Sequence, residues 1–202
     1  MIYVASDTHG DMSVFSSKAF RSLKAEDTLI IAGDFGFLWE DNDRERKALK
    51  KIGARKHRTV FSLGENDAPA LYEAFPEAEI DGNRVLCLGG NLFMAAEGIY
   101  EAEGKKLLLC GNGGDRTEDE EEEYLKRVLS AADNEVYGVI TYEPPFSVGE
   151  FLCGEYESGK LGFLFDRLKG NFKFEKWYFG RLHKDVRIPG KYRAVFDVPQ
   201  II

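Results

Sequence analysis

Apolar positions along the chain fall into short runs closed by glycine, aspartate or proline. Six of these runs read as strands: "IYVAS" (2–6), "TLIIAGD" (28–34), "RTVFSLG" (58–64), "KKLLLCG" (105–111), "YGVIT" (137–141) and "KWYFG" (176–180). They are short, rich in β-branched, aliphatic and aromatic side chains, and bounded by turn residues, as buried strands are. Between several of them the apolar period lengthens to that of a helix. Residues 12–24, "MSVFSSKAFRSLK", bring Met12, Phe15, Ala19, Phe20 and Leu23 onto one face. Residues 43–52 predict a charged helix, and 67–75 a short one. "TEDEEEEYLKRVLSAA" (117–132) opens with Thr117 and Glu120 at capping-box spacing. Its acidic first turns suit the positive end of a helix. A solvated helix start accounts for that acidic run better than a metal or partner patch does. The stretch "RVLCLGGNLFMAAEGIYEAEGKKLLL" (84–109) predicts strands joined by tight turns, notably at "EAEGKK". Early alternation of strands and helices, followed by hairpins, indicates an α/β layered fold with a mixed sheet.

Composition narrows the function classes. With 202 residues, 44% apolar content, no internal repeat and no Pro/Ser linker, the expectation is one globular domain over 1–202. No run approaches the ~18 apolar residues of a membrane helix. The first residues enter a strand pattern with no basic segment or cleavage signal, so a cytoplasmic location is expected, without membrane partners. Cys87, Cys110 and Cys153 are odd in number and widely spaced, and read as reduced thiols. A net charge of −8 argues against a broad nucleic-acid footprint.

The chemistry gathers just beyond the apolar runs. "SDTHGD" supplies Asp7 and His9, "GDFGFLWED" supplies Asp34, and "GENDAP" supplies Glu65, Asn66 and Asp67. "GRLHKD" follows the last run with Arg181 and His183. Sites of open α/β sheets lie beyond the carboxyl ends of their strands. Carboxylates mixed with imidazole suit Mn, Fe or Zn acting on phosphoryl groups.

The ordered motifs "DTHG", "GDFG", "GEND", "TYEPP" and "GRLHKD" resemble the calcineurin-like metallophosphoesterases over nearly the whole chain, most closely the compact bacterial members. The resemblance implies a four-layer sandwich of two mixed β-sheets flanked by helices, and a two-metal phosphoesterase site. Carried over by position, the first metal falls to Asp7, His9, Asp34 and His183, with every ligand type present. The second half departs from the family. Glu65, Tyr142 and Arg181 stand where an amide and two histidines are expected, and Asn66 stands at the catalytic histidine's place. A fixed cation and an added carboxylate balance, so a compensated exchange is the better account than drift. Arg181 is expected to span Asp34 and Glu65, with Tyr142 donating into the same network.

Two readings follow from the resemblance. One is a family member with at most one divalent metal (Mn, Fe or Zn) that binds phosphate-like anions with very weak or no hydrolysis, or is wholly silent without metal. The other is an active one-metal phosphoesterase in which Arg181 replaces the second ion. Either way the expected partner is a phosphate-containing small molecule. Between "GNGGD" (111–115) and "TYEPP" (141–145) only the acidic helix is legible, with no substrate-reading motif. Of the remaining residues, His57 is expected in a surface loop. Asp11 and Asp67 are expected to cap helices or brace ligands. Phe37 and Trp39 are expected in core or pocket wall, and Trp177 and Tyr178 in strand packing.

Overall fold

The computed structural model describes residues 1–111, 117–133 and 135–202, with the side chains of 118, 121 and 125 left aside; most of the "GNGGD" stretch lies outside the described residues. In chain order the strands are β1 (Ile2–Ala5), β2 (Thr28–Ala32), β3 (Arg58–Ser62), β4 (Glu77–Ile80), β5 (Asn83–Gly89), β6 (Leu92–Ala95), β7 (Gly98–Ala102), β8 (Lys105–Cys110), β9 (Glu135–Thr141), β10 (Lys173–Phe179), β11 (Val186–Arg187), β12 (Tyr192–Ala194) and β13 (Gln200–Ile201). The helices are α1 (Met12–Ser16), α2 (Lys18–Arg21), α3 (Asp43–Gly53), α4 (Pro69–Tyr72), α5 (Glu118–Ala132), α6 (Phe146–Cys153) and α7 (Lys160–Leu168).

They build two mixed sheets flanked by helices. The first has the order β13-β1-β2-β3-β6-β5-β4, and the second β11-β12-β10-β9-β8-β7. In the first, β1, β2, β3 and β6 run parallel, with β13, β5 and β4 antiparallel at the margins. In the second, β12, β10, β9 and β8 run parallel between antiparallel β11 and β7. Alternation within the strands divides the core. Val4, Ile30 and Val60 of the first sheet pack with Leu107, Leu109, Ile140 and Tyr178 of the second. The opposite faces carry Leu29, Ile31 and Phe61 against α1, α2 and α3, and Leu108, Val139 and Trp177 against α5 and α7. Each such aliphatic or aromatic side chain adds ~1.5–3 kcal/mol of burial, which accounts for near-continuous apolar runs in the central strands.

The segment 12–24 is two short helices rather than one. Ser17 is extended and its hydroxyl accepts from the Phe20 amide, starting α2 anew. Phe15, Phe20 and Leu23 are nonetheless all buried, because the apolar spacing survives the break. The Thr117–Glu120 capping box is present at the start of α5. Asp81-Gly82 and Glu103-Gly104 both have positive φ and close two-residue hairpins, β4–β5 and β7–β8. That is the geometry of type I′ turns. None of the three cysteines is in a disulfide: Cys87 is half-buried, Cys110 buried and Cys153 exposed. No helix among the described residues is long and apolar enough to cross a membrane.

Two expectations are corrected. Trp39 is 51% exposed and so lies outside the core, whereas Phe37 is buried. His57 is buried rather than in a surface loop, and its Nε2 has no hydrogen-bond partner. It lies between the end of α3 and β3, where the basic neighbours that suggested a surface flank an enclosed ring. Burial, with Arg55 adding, pushes the imidazole down to about 4. The unfolded chain binds a proton near pH 6.5 that the folded chain refuses until about pH 4. Stability from neutral His57 is therefore complete above pH 6.5 and lost as pH falls towards 4, by on the order of 3 kcal/mol. Urea unfolding of His57→Leu is expected to show a shallower loss over that interval than the parent. Parallel profiles would contradict it.

Candidate metal centre

The candidate residues leave the carboxyl ends of β1, β2, β3, β9 and β10, where the edges of the two sheets converge. Glycines permit the convergence. A Cβ on Gly33 would come within 2.6 Å of the Tyr142 ring, so β2 passes under the residue that leaves β9. A Cβ on Gly180 would overlap Ser6 and approach Asp7 Oδ2 to 2.9 Å, so β10 crosses directly over the end of β1.

At this edge the backbone is strained. Asp7, His9, Asp34, Arg181 and His183 all adopt φ between 46° and 65°. They are five of the nine non-glycine residues with positive φ among those described. Each such residue costs on the order of 1 kcal/mol or more, and such strain concentrates where a site must hold side chains in fixed directions.

Three residues converge on one point. His9 and His183 meet edge-to-face with their Nε2 atoms 2.9 Å apart. Asp7 Oδ1 lies 3.4 Å from His183 Nε2 and 3.9 Å from His9 Nε2. The Asp7 side chain is buried, whereas the two imidazoles reach solvent. Asp7 Oδ2 accepts from the Arg181 amide at 2.9 Å, but Oδ1 is buried with no hydrogen-bond partner. Burial pushes the Asp7 carboxyl up to about 7, and the charge of Asp34 adds to the effect. An unpaired carboxylate oxygen aimed at two imidazole nitrogens is a donor set that fits a divalent cation such as Mn, Fe or Zn.

Asp34 stands beside this group, with Oδ2 3.8 Å from His9 Nδ1. It is fully buried and well supplied with donors. The Asn66 amide, the Asn66 side chain and the Tyr142 hydroxyl donate to it at 2.8, 2.7 and 2.8 Å. Burial, then the charge of Asp34, push the Tyr142 phenol far above its ordinary range, so it stays a donor. Asp67 braces the loops by accepting from the amides of Phe35, Gly36 and Gly64. Asp11 caps α1 through the Ser13 amide.

The second half of the cleft is organised around Arg181. Its Nη2 lies 3.5 Å from Glu65 Oε2, so these side chains face each other. The expected contact with Asp34 does not form among the described residues. Arg181 instead gives Nη1 to Glu143 Oε1 at 2.6 Å. Glu143 is 1% exposed, and the same oxygen accepts from Tyr156, Ser158 and the Gly159 amide. A buried carboxylate needs such donors and a cation. Burial alone would lower the Arg181 guanidinium, but Tyr156, Glu143 and Glu65 together raise it above its ordinary value. Glu143 is the residue that sequence reasoning missed. The available signal was the arginine itself, since a guanidinium placed inside a cleft calls for a buried carboxylate.

No family model matches the chain, and no curated protein matches it. Among solved structures it is similar to the crystal structure of AQ665, a protein of unknown function from Aquifex aeolicus. The identity is 18%, covering 98% of this chain and 89% of that one, with a TM-score of 0.38. A TM-score of that size carries no argument about fold or function.

Proposed function

We propose that the chain is a calcineurin-like metallophosphoesterase domain with one divalent transition-metal site, made by Asp7, His9 and His183 with Asp34 as fourth ligand. It binds phosphate-like anions beside that site and has very weak or no phosphoester hydrolysis. The observation that carries this reading is the buried, unpaired Asp7 Oδ1 facing the converging Nε2 atoms of His9 and His183. A bound divalent ion supplies Lewis-acid polarisation of a phosphoryl oxygen and acidification of water. Asn66, at the position where the family has a catalytic histidine, commits its side-chain amide to Asp34. An amide does not serve as a general acid, and the absence of one forfeits ~10²–10⁴-fold in rate. The place of a second ion is filled by Arg181 with Glu143 and Glu65. A permanent guanidinium neutralises charge there without activating water.

A second reading, an active one-metal phosphoesterase, is favoured by the five strained residues held at the site, an arrangement suited to pre-organised chemistry. Assays with p-nitrophenyl phosphate and bis-p-nitrophenyl phosphate in added Mn²⁺ separate the two. Under the proposal, turnover stays within a few-fold of the Asp34→Ala variant. Robust turnover that Asp34→Ala abolishes would establish the second reading.

A further inference from the structure

We propose that Glu65 is a charge gate on the anion site, one that selects singly charged phosphodiesters over doubly charged phosphomonoesters. This rests on the anion-binding reading above. The two sides of the Arg181 guanidinium differ. Nη1 is fixed on Glu143, a buried carboxylate oxygen held by four donors. Nη2 faces Glu65, whose side chain is 56% exposed and whose contact is a loose 3.5 Å. The Glu65 carboxylate therefore occupies the face of Arg181 that a phosphoryl oxygen would use, and it is the partner free to swing aside.

It does not swing far. The next residue, Asn66, is tied to Asp34 through both its backbone and side-chain amides. The Glu65 backbone is therefore anchored while its carboxylate moves. The displaced charge stays beside the bound anion.

The local charge makes that matter. Glu65 and Glu143 both face the Arg181 guanidinium, and Asp7 and Asp34 add two more carboxyl groups at the adjoining His9–His183 side of the cleft. Even with a divalent ion in place, the cleft has little positive charge left for a dianion. Displacing Glu65 from Arg181 hinders both ester classes equally. Repulsion from the displaced carboxylate acts twice on a monoester dianion and once on a diester monoanion. One added charge at about 4 Å amounts to roughly five-fold in affinity even at the dielectric of bulk water.

The test is titration of Zn²⁺-loaded protein at pH 8 with methyl phosphate and dimethyl phosphate, followed by phosphorus NMR, on the parent and on Glu65→Gln. Glu65 is an exposed side chain, and matching melting curves check the fold of the variant. The expected result is that Glu65→Gln tightens methyl phosphate at least about five-fold more than dimethyl phosphate. Equal factors for the two anions, or no change in either, overturn the gate while leaving the anion site standing. If neither anion binds either protein, the anion-binding reading falls and the gate with it.

Discussion

Replacing Arg181 with alanine is expected to destabilise the protein by about 3–5 kcal/mol, because it leaves Glu143 buried without its cation. Glu143 is 1% exposed, and the Arg181 side chain is itself only 21% exposed. Tyr156, Ser158 and the Gly159 amide remain as donors, but none carries charge. Glu65→Gln, by contrast, removes a loose contact at an exposed carboxylate and is expected to cost under about 1 kcal/mol. Pairing Arg181→Ala with Glu143→Gln removes the stranded charge, so the double variant should be milder than Arg181→Ala alone. Urea unfolding of the parent, the single variants and the double variant measures the coupling. Additive losses would mean that the pair is wetted and that Arg181 is held for ligand binding alone. Restoring a second metal requires more than returning the family's residues to the positions of Glu65, Asn66, Tyr142 and Arg181. Glu65→Asn, Asn66→His, Tyr142→His and Arg181→His together would still strand Glu143, so Glu143→Gln must accompany them.

The second large effect is at Asp7. Asp7→Asn is expected to leave the metal-free fold at least as stable as the parent at pH 8, since it removes a buried carboxylate with an unpaired oxygen. It should also abolish stabilisation by metal. For the parent, Mn²⁺ or Zn²⁺ at one hundred times its dissociation constant contributes about 2.7 kcal/mol. Melting curves of both proteins with and without metal measure this directly. A metal-induced rise of equal size in Asp7→Asn would place the ion elsewhere. A collapsed metal-free variant would give Asp7 a structural role instead.

Much of the α/β layering was legible because the buried strands are uninterrupted apolar runs with turn residues at their ends. What escaped was set by contacts distant in sequence. Strand β4 alternates but is only four residues long, is half glutamate, and buries neither face fully, so its clearest signal is the Asp81-Gly82 turn that follows it. Helices α6 and α7 each carry an interior glycine, which lowers helix propensity. In the fold, Gly149 makes room for Tyr156, and Gly162 lies against Ser158 and Glu143. Those glycines serve the cleft and obscure the helices. At the site, residues directly after strands were readable one motif at a time, and the convergence of Asp7, His9 and His183 follows from strand ends that share an edge. The partner of Arg181 was not readable in this way. Glu65 and Glu143 both follow strands, and only the packing of the α6–α7 loop decides which is buried. His57 shows the converse, where a basic neighbourhood disguised a buried ring.

The central claim is one metal site with its second half replaced by an arginine–carboxylate cluster. Elemental analysis of protein saturated with Mn²⁺ or Zn²⁺ and then freed of loose metal tests it most directly. The account predicts one ion per chain, lost in Asp7→Asn and retained in Glu65→Gln. Two ions per chain, or none after loading, would contradict it.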